Sequence, residues 1–209
     1  MERADRQAEE KTGKRVERTR RALRGALLEL MVEHGYEELS VQQILDRSGV
    51  GRATFYLHYR GKDDLLRRSL DGLRQHLVTE WRAKAGGRPA LELPLGFSLA
   101  FFHHVDSHRR LYRAIVGRES GAIVDREMRR LLVDLMCEAG AAQAKVPGKA
   151  FSKAACMGAG VGFAAQYVAG ALMSIVAWWL DRNIRLSAEE LDGLFCKMTL
   201  PALKALRNG

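Results

Sequence analysis

The sequence predicts an all-α protein in two parts, a short three-helix unit followed by a larger helical bundle. Three observations predict it. Apolar residues recur at spacings of three and four through most of the chain, the pattern of amphipathic helices. Only four prolines occur in 209 residues, and β-branched runs are few. Glycines and polar turn residues separate the periodic segments.

At 47% hydrophobic and 28% charged residues, the composition is that of an ordinary globular protein. Cys137, Cys156 and Cys196 lie far apart with no CxxC spacing. They read as small core residues in a reducing compartment rather than a disulfide framework or zinc site. The N-terminus is charged from Glu2 onward and has no apolar h-region, so the expected location is cytoplasmic. The net charge of +9 is unevenly spread. Residues 1–66 hold 13 basic against 12 acidic side chains, and the remainder holds 21 against 13. Residues 11–24, KTGKRVERTRRALR, nevertheless carry seven basic side chains and one acid. A basic arm running into a helix suits contact with phosphates.

From Val16 to His34 the residues Leu23, Leu27, Leu30 and Met31 form one stripe, which gives the first helix. Gly35 ends it as a left-handed C-terminal glycine would. Ser40 caps a short helix over 41–47, with Val41, Ile44 and Leu45 inward. SGVG, residues 48–51, is a tight turn. A third short helix runs over 52–59, Gly61 breaks it, and Lys62 starts a longer helix to residue 84.

The third helix has a strand-like composition, TFYLHY. Two short helices joined by a glycine-containing turn, after a longer one, form a helix-turn-helix layout. A helix of seven residues is not stable alone, so packing must hold it and propensity can be sacrificed. Phe55 and Tyr59, one turn apart, pack with Ile44 and Val50. The opposite face then presents Arg52, Ala53, Tyr56, Leu57 and His58. Such a face offers donors to phosphate oxygens and base edges and apolar contacts to thymine methyls.

The run from Arg20 to Leu66 resembles the DNA-binding domain of the TetR family of bacterial transcriptional regulators. The matching pieces are Gly35-Tyr36, Leu39 through Ile44, Gly49-Val50, Thr54-Phe55-Tyr56 and Lys62 through Leu66. Their order and spacing agree over about the first third of the chain. The resemblance implies that Gln42, Arg52, Ala53, Leu57 and His58 sit at base-reading or groove-facing positions. It implies phosphate contacts for Thr54, Tyr56 and Lys62. Gly51 departs from the pattern, standing where the family often has a small polar cap.

Beyond residue 84 the patterns are more general. Residues 85–89, AGGRP, form a loop, and Pro94 lies near the start of a helix within 91–105. Helices over 107–117 and 119–139 follow, the latter with Ile123, Met128, Leu131, Leu132, Leu135 and Met136 on its apolar side. From Ala154 to Leu180 there are 27 residues without a charge, long enough for a membrane span. Two leucines and one isoleucine against eight alanines and four glycines favour a helix buried between the core and a second subunit. Small residues, including Gly158 and Gly162 at GxxxG spacing, let helices approach closely. Ser187 with Glu190 forms a capping box opening a last helix, with Leu191, Leu194, Phe195 and Met198 on a stripe and Pro201 expected to kink it. These two helices are the expected homodimer interface, an arrangement the resemblance also implies.

No GxSxG, P-loop or GxGxxG motif occurs, so no enzyme activity and no cofactor are expected. His104 and His108 are four apart and share a helix face, but lack the Glu of HExxH and a third ligand in range, so no metal site is expected. The aromatic-rich second part leaves room between helices for a small apolar ligand, with Phe101, His104, Tyr112, Phe163, Gln166 and Tyr167 as candidate contacts.

The expected protein is therefore a cytoplasmic, homodimeric transcriptional regulator with no membrane partner. Residues 1–61 form the basic arm and helix-turn-helix domain, and residues 62–209 the effector-binding and dimerisation domain. Its partner is double-stranded operator DNA of pseudo-palindromic sequence. Repression released by a small apolar ligand is the main expectation. Control by a protein partner, by a metal at His104 and His108, or by no ligand is the alternative.

Overall fold

A computed structural model describes residues 2–85, 95–116, 122–143, 159–182 and 184–208. Among these residues every element is a helix, as expected. They are α1 (Glu2–His34), α2 (Val41–Ser48), α3 (Arg52–His58), α4 (Lys62–Ala85), α5 (Ser98–Ser107), α6 (Arg109–Val116), α7 (Ala122–Gln143), α8 (Ala159–Asp181) and α9 (Ala188–Asn208). The chain divides into two compact units, residues 1–69 and 70–209. The division falls inside α4, whose first two turns belong to the first unit.

In the first unit α1 begins at Glu2, well before the periodic stripe at Leu23. Its last turns bury Leu23, Leu27, Leu30 and Met31. Gly35 follows at φ 81°, a conformation glycine adopts without strain. The Ser40 side chain caps α2 by accepting from the Gln43 N–H, and Gln43 Oε1 accepts from the Ser40 N–H at 2.8 Å. This reciprocal pair is a capping box written in the sequence as S-x-x-Q. Gly49 ends α2 at φ 66° and donates to the Leu45 carbonyl at 2.9 Å. Arg47 clamps α2 to α1 through Glu33, at 2.7 and 2.9 Å, and Glu29 at 3.3 Å.

The second unit is built on aromatic packing. Phe102 meets Trp179 and Phe195 edge-on, at centroid separations of 6.3 and 6.0 Å, and so joins α5 to α8 and α9. Phe101 packs edge-on against Tyr112 and Trp81 against Phe97. Edge-to-face pairs add to the burial of these large rings. Trp179 Nε1 donates to the Leu186 carbonyl at 3.1 Å, and the Arg109 guanidinium lies 4.2 Å over the Trp179 ring. Ser98, buried, donates to Asp192 and ties α5 to α9 a second time. Ser187 and Glu190 cap α9 reciprocally, and the helix continues through Pro201.

Helix α8 is long and apolar enough to cross a membrane by composition. One stripe, including Ala165, Val168, Leu172, Val176 and Trp179, is buried inside the unit, and its main neighbour is α7. That stripe is the packing of a core helix. Cys137 on α7 takes part in a disulfide, against the expectation of unpaired core thiols, while Cys196 is unpaired but only half-buried.

His104 stacks on His108 at 4.3 Å, faces His76 at 6.3 Å and meets Tyr112 edge-on at 5.8 Å. Burial, then the charges of His108 and His76, push its imidazole down to about 4. The unfolded chain takes up that proton near the ordinary value of about 6.5. Stability from this site is therefore full above that value and is lost as pH falls from about 6.5 to about 4. A His104→Gln variant should show a shallower fall of melting temperature between pH 7 and pH 4, followed by near-UV circular dichroism. An equally steep fall would place the acid sensitivity elsewhere.

Candidate nucleic-acid interface

The candidate site lies wholly in the first unit. Helix α3 has seven residues, and its N-cap, Gly51, supplies no side-chain hydrogen bond. Local forces do not hold such a helix. Phe55, fully buried, and Tyr59, 5% exposed, hold it from one side. Their rings pack at 5.6 Å. Tyr59 then leaves the helix in extended conformation, and its N–H closes the last turn on the Phe55 carbonyl at 2.9 Å.

The other face of α3 points to solvent. Leu57 is 80% and Tyr56 52% exposed. Arg52 and Ala53 are exposed, and Thr54 and His58 half-buried. Gln42, on α2, is exposed too and reaches this face: Arg52 Nη2 donates to Gln42 Oε1 at 3.3 Å, and Gln42 Nε2 donates to Asp46 at 2.8 Å. The structure thus brings together Gln42, Arg52, Ala53, Tyr56 and Leu57 on the outer side of the helix-turn-helix. The link to Asp46 escaped the sequence reading, although its spacing of four from Gln42 is the signal that could have found it.

Lys62 sits differently. Its ammonium donates to the carbonyls of Tyr36 and Glu37, at 3.2 and 3.0 Å, and lies 4.8 Å over the Tyr36 ring. The Tyr36 hydroxyl donates to Asp63. Burial, then this carboxylate, raise the Tyr36 phenol far above its usual range. Lys62 and Asp63 together fasten the start of α4 to the corner between α1 and α2. Two of its three N–H donors are spent on these carbonyls.

The basic side chains Arg15, Arg18, Arg21 and Arg24 of α1 are exposed. Arg20, with Glu17, acts electrostatically on Tyr59, which puts that part of α1 beside the end of α3. Arg68 lies 5.5 Å over the Tyr59 ring. Arg20 and Arg68 therefore gather near Tyr59 at the end of α3, accompanied by Glu17 and Asp64.

The remaining expected site residues fall in the second unit. Phe101 and Tyr112 are buried and His104 half-buried, in one ring cluster. Phe163, Gln166 and Tyr167 lie on the exposed side of α8, apart from that cluster. Leu191 and Phe195 turn inward, Leu194 and Met198 outward, and Gly162 is half-buried. Gly158 lies outside the described residues. His108 Nδ1 faces the His104 carbonyl at 2.9 Å, so it carries the proton. Among the described residues no three His, Cys, Asp or Glu side chains are grouped to hold a metal ion.

Replacing Lys62 should loosen the α1–α2 corner as well as any phosphate contact. Two hydrogen bonds from a charged donor, partly buried, are worth about 1–3 kcal/mol. Lys62→Ala should lower the urea-unfolding free energy by about that much. An unchanged midpoint would show that its ammonium anchors nothing.

The comparisons with known proteins agree with this geometry. Residues 23–68 match the family described as bacterial regulatory proteins, tetR family. A Bacillus subtilis (strain 168) protein named as an uncharacterized HTH-type transcriptional regulator, YxbF, is 40% identical over 63 residues. That stretch spans 30% of this chain and 17% of that relative. A TetR transcriptional regulator from Streptococcus agalactiae 2603V has the same fold, with a TM-score of 0.59 at 19% identity, over 90% of this chain and 97% of its own. So does a putative TetR-family regulator from Syntrophomonas wolfei str. Goettingen, with a TM-score of 0.60 at 18% identity, over 91% and 95%. The fatty acid degradation regulator FadR from Bacillus halodurans gives 0.53 at 18% identity, over 90% and 97%. Residues 23–68 are thus similar to the N-terminal domain of the tetR family of bacterial regulatory proteins, and the chain as a whole shares the all-α fold of these solved regulators.

Proposed function

We propose that this chain is a sequence-specific DNA-binding transcriptional regulator of the cytoplasm, acting as a homodimer on a pseudo-palindromic operator. The observation that carries the reading is the two-sided α3. Phe55 and Tyr59 are spent on the fold, while Arg52, Ala53, Tyr56 and Leu57 are left outward. A protruding helix with a guanidinium, a phenol and apolar tips suits the major groove. Gln42 joins this face from the neighbouring helix, His58 and Thr54 flank the groove, and the exposed arginines of α1 meet phosphates.

The dimer is supported by a second unpartnered surface. Phe163, Tyr167 and Trp178, 67%, 45% and 45% exposed, stand on α8 at spacings of 4 and 11, which return to one face. On α9, Leu194 and Met198 are 52% and 77% exposed. Such a run of large exposed apolar side chains marks an interface. A dimer on a pseudo-palindromic operator needs its two α3 helices in successive major grooves about 34 Å apart.

Repression relieved by a largely apolar ligand of drug or fatty-acyl size completes the reading. The Trp81 Nε1 and Tyr112 hydroxyl are buried and find no hydrogen-bond partner among the described residues. Buried donors of this kind suit a ligand's acceptor groups. Because α4 runs from Lys62 into the second unit, a ligand that favoured one placement of α4 would shift the population of DNA-competent dimers.

Incubating the full chain with random duplex DNA and sequencing the bound fraction tests the reading. It should enrich two inverted half-sites one helical turn apart. Enrichment of no sequence would reject it. Met198→Asp should drive the protein toward monomer in sedimentation and weaken operator binding in parallel. An unchanged dimer would remove α9 from the interface.

A further inference from the structure

We propose that Asp46 is a positioning residue that sets base specificity. It turns the Gln42 amide so that Gln42 braces Arg52 for guanine instead of reading adenine itself. The inference rests on the DNA-binding reading above and adds to it the base recognised and the residue that decides it.

A glutamine reads adenine with both ends of its amide, one N–H to N7 and the oxygen to N6. Both ends of Gln42 are already engaged. Nε2 donates to Asp46 Oδ1 at 2.8 Å, and Oε1 accepts from Arg52 Nη2 at 3.3 Å. A carboxylate only accepts, so Asp46 settles which amide atom faces it and leaves the oxygen toward Arg52. Arg52 can only donate. It gives one of its five N–H groups to Gln42 and keeps the others, the fork that pairs with guanine O6 and N7. The relay runs from α2 across the turn to the first residue of α3.

The chemistry of Asp46 supports the same role. A carboxylate beside a surface meant for a polyanion repels it. Its position one turn along α2 from Gln42 gives it an orienting use. Asp46, Gln42 and Arg52 are all exposed, so each can be changed without touching the core.

The test uses the duplex enriched by the full-length wild-type protein. Fluorescence anisotropy measures binding to that duplex and to its single-base-pair variants. Wild type should prefer guanine at one position per half-site by about ten- to a hundredfold, and Arg52→Ala should abolish that preference. Asp46→Ala and Gln42→Ala should each reduce it severalfold, with melting temperatures unchanged. Asp46→Asn keeps an acceptor oxygen and removes the charge. It should retain the preference while binding all sequences somewhat more tightly.

Full guanine preference in Asp46→Ala would overturn the inference. So would its loss in Asp46→Asn, which would show a charge effect, or an adenine preference that depends on Gln42 alone. Wild type that enriches no sequence would remove the DNA-binding reading and this inference with it. That failure is distinct from a normal operator whose base preference ignores Asp46.

Discussion

Burial of Phe55 and Tyr59 is the constraint on which the candidate interface depends. Seven residues without a side-chain cap do not make a helix in water. Two rings packed at 5.6 Å under the turn do. Because packing supplies the stability, the sequence of α3 is released from helix propensity. Threonine and aromatics, poor helix formers, occupy it at small cost. The outward side is then chosen by whatever it touches, which is how Leu57 and Tyr56 come to stand in solvent beside Arg52.

The same separation of duties recurs in the second unit. Phe102 on α5 holds Trp179 of α8 and Phe195 of α9, and the Ser98–Asp192 bond repeats the tie. With the core closed by inward rings, α8 and α9 still carry large apolar side chains outward. A helix that is apolar on both sides has two partners to satisfy. One is its own unit, and the second copy proposed above is the other. The first turns of α4 are fixed to the α1–α2 corner through Lys62 and Asp63. The helix therefore starts from an anchored end.

Much of the fold was legible because its signals are local. Ser40 and the Ser187–Glu190 box mark helix starts by side-chain capping of nearby backbone N–H groups, Gly35 and Gly49 mark helix ends by positive φ, and each sits where the sequence reading placed it. Helix α1 runs further toward the N-terminus than its stripe, because charged residues have no apolar period to announce a helix. Direction was harder. Leu191, Leu194, Phe195 and Met198 share a stripe wide enough to face two ways, and only packing shows Leu191 and Phe195 inward. Phe163, Gln166 and Tyr167 are outward for the same reason, on a helix apolar all round. The role of Lys62 was beyond sequence because its partners, two backbone carbonyls, are chosen by geometry and not by residue type, whereas the Gln42–Asp46 link had its i,i+4 spacing to announce it.

The central claim is that the outer face of α3 is free of the fold and committed to DNA. Leu57→Asp tests it directly, since Leu57 is 80% exposed. Anisotropy on the enriched duplex, with a thermal melt of the same sample, is the measurement. An unchanged melting temperature with binding lost, as a carboxylate is driven into the groove, is the predicted result. Unchanged binding with an unchanged melt would contradict the account.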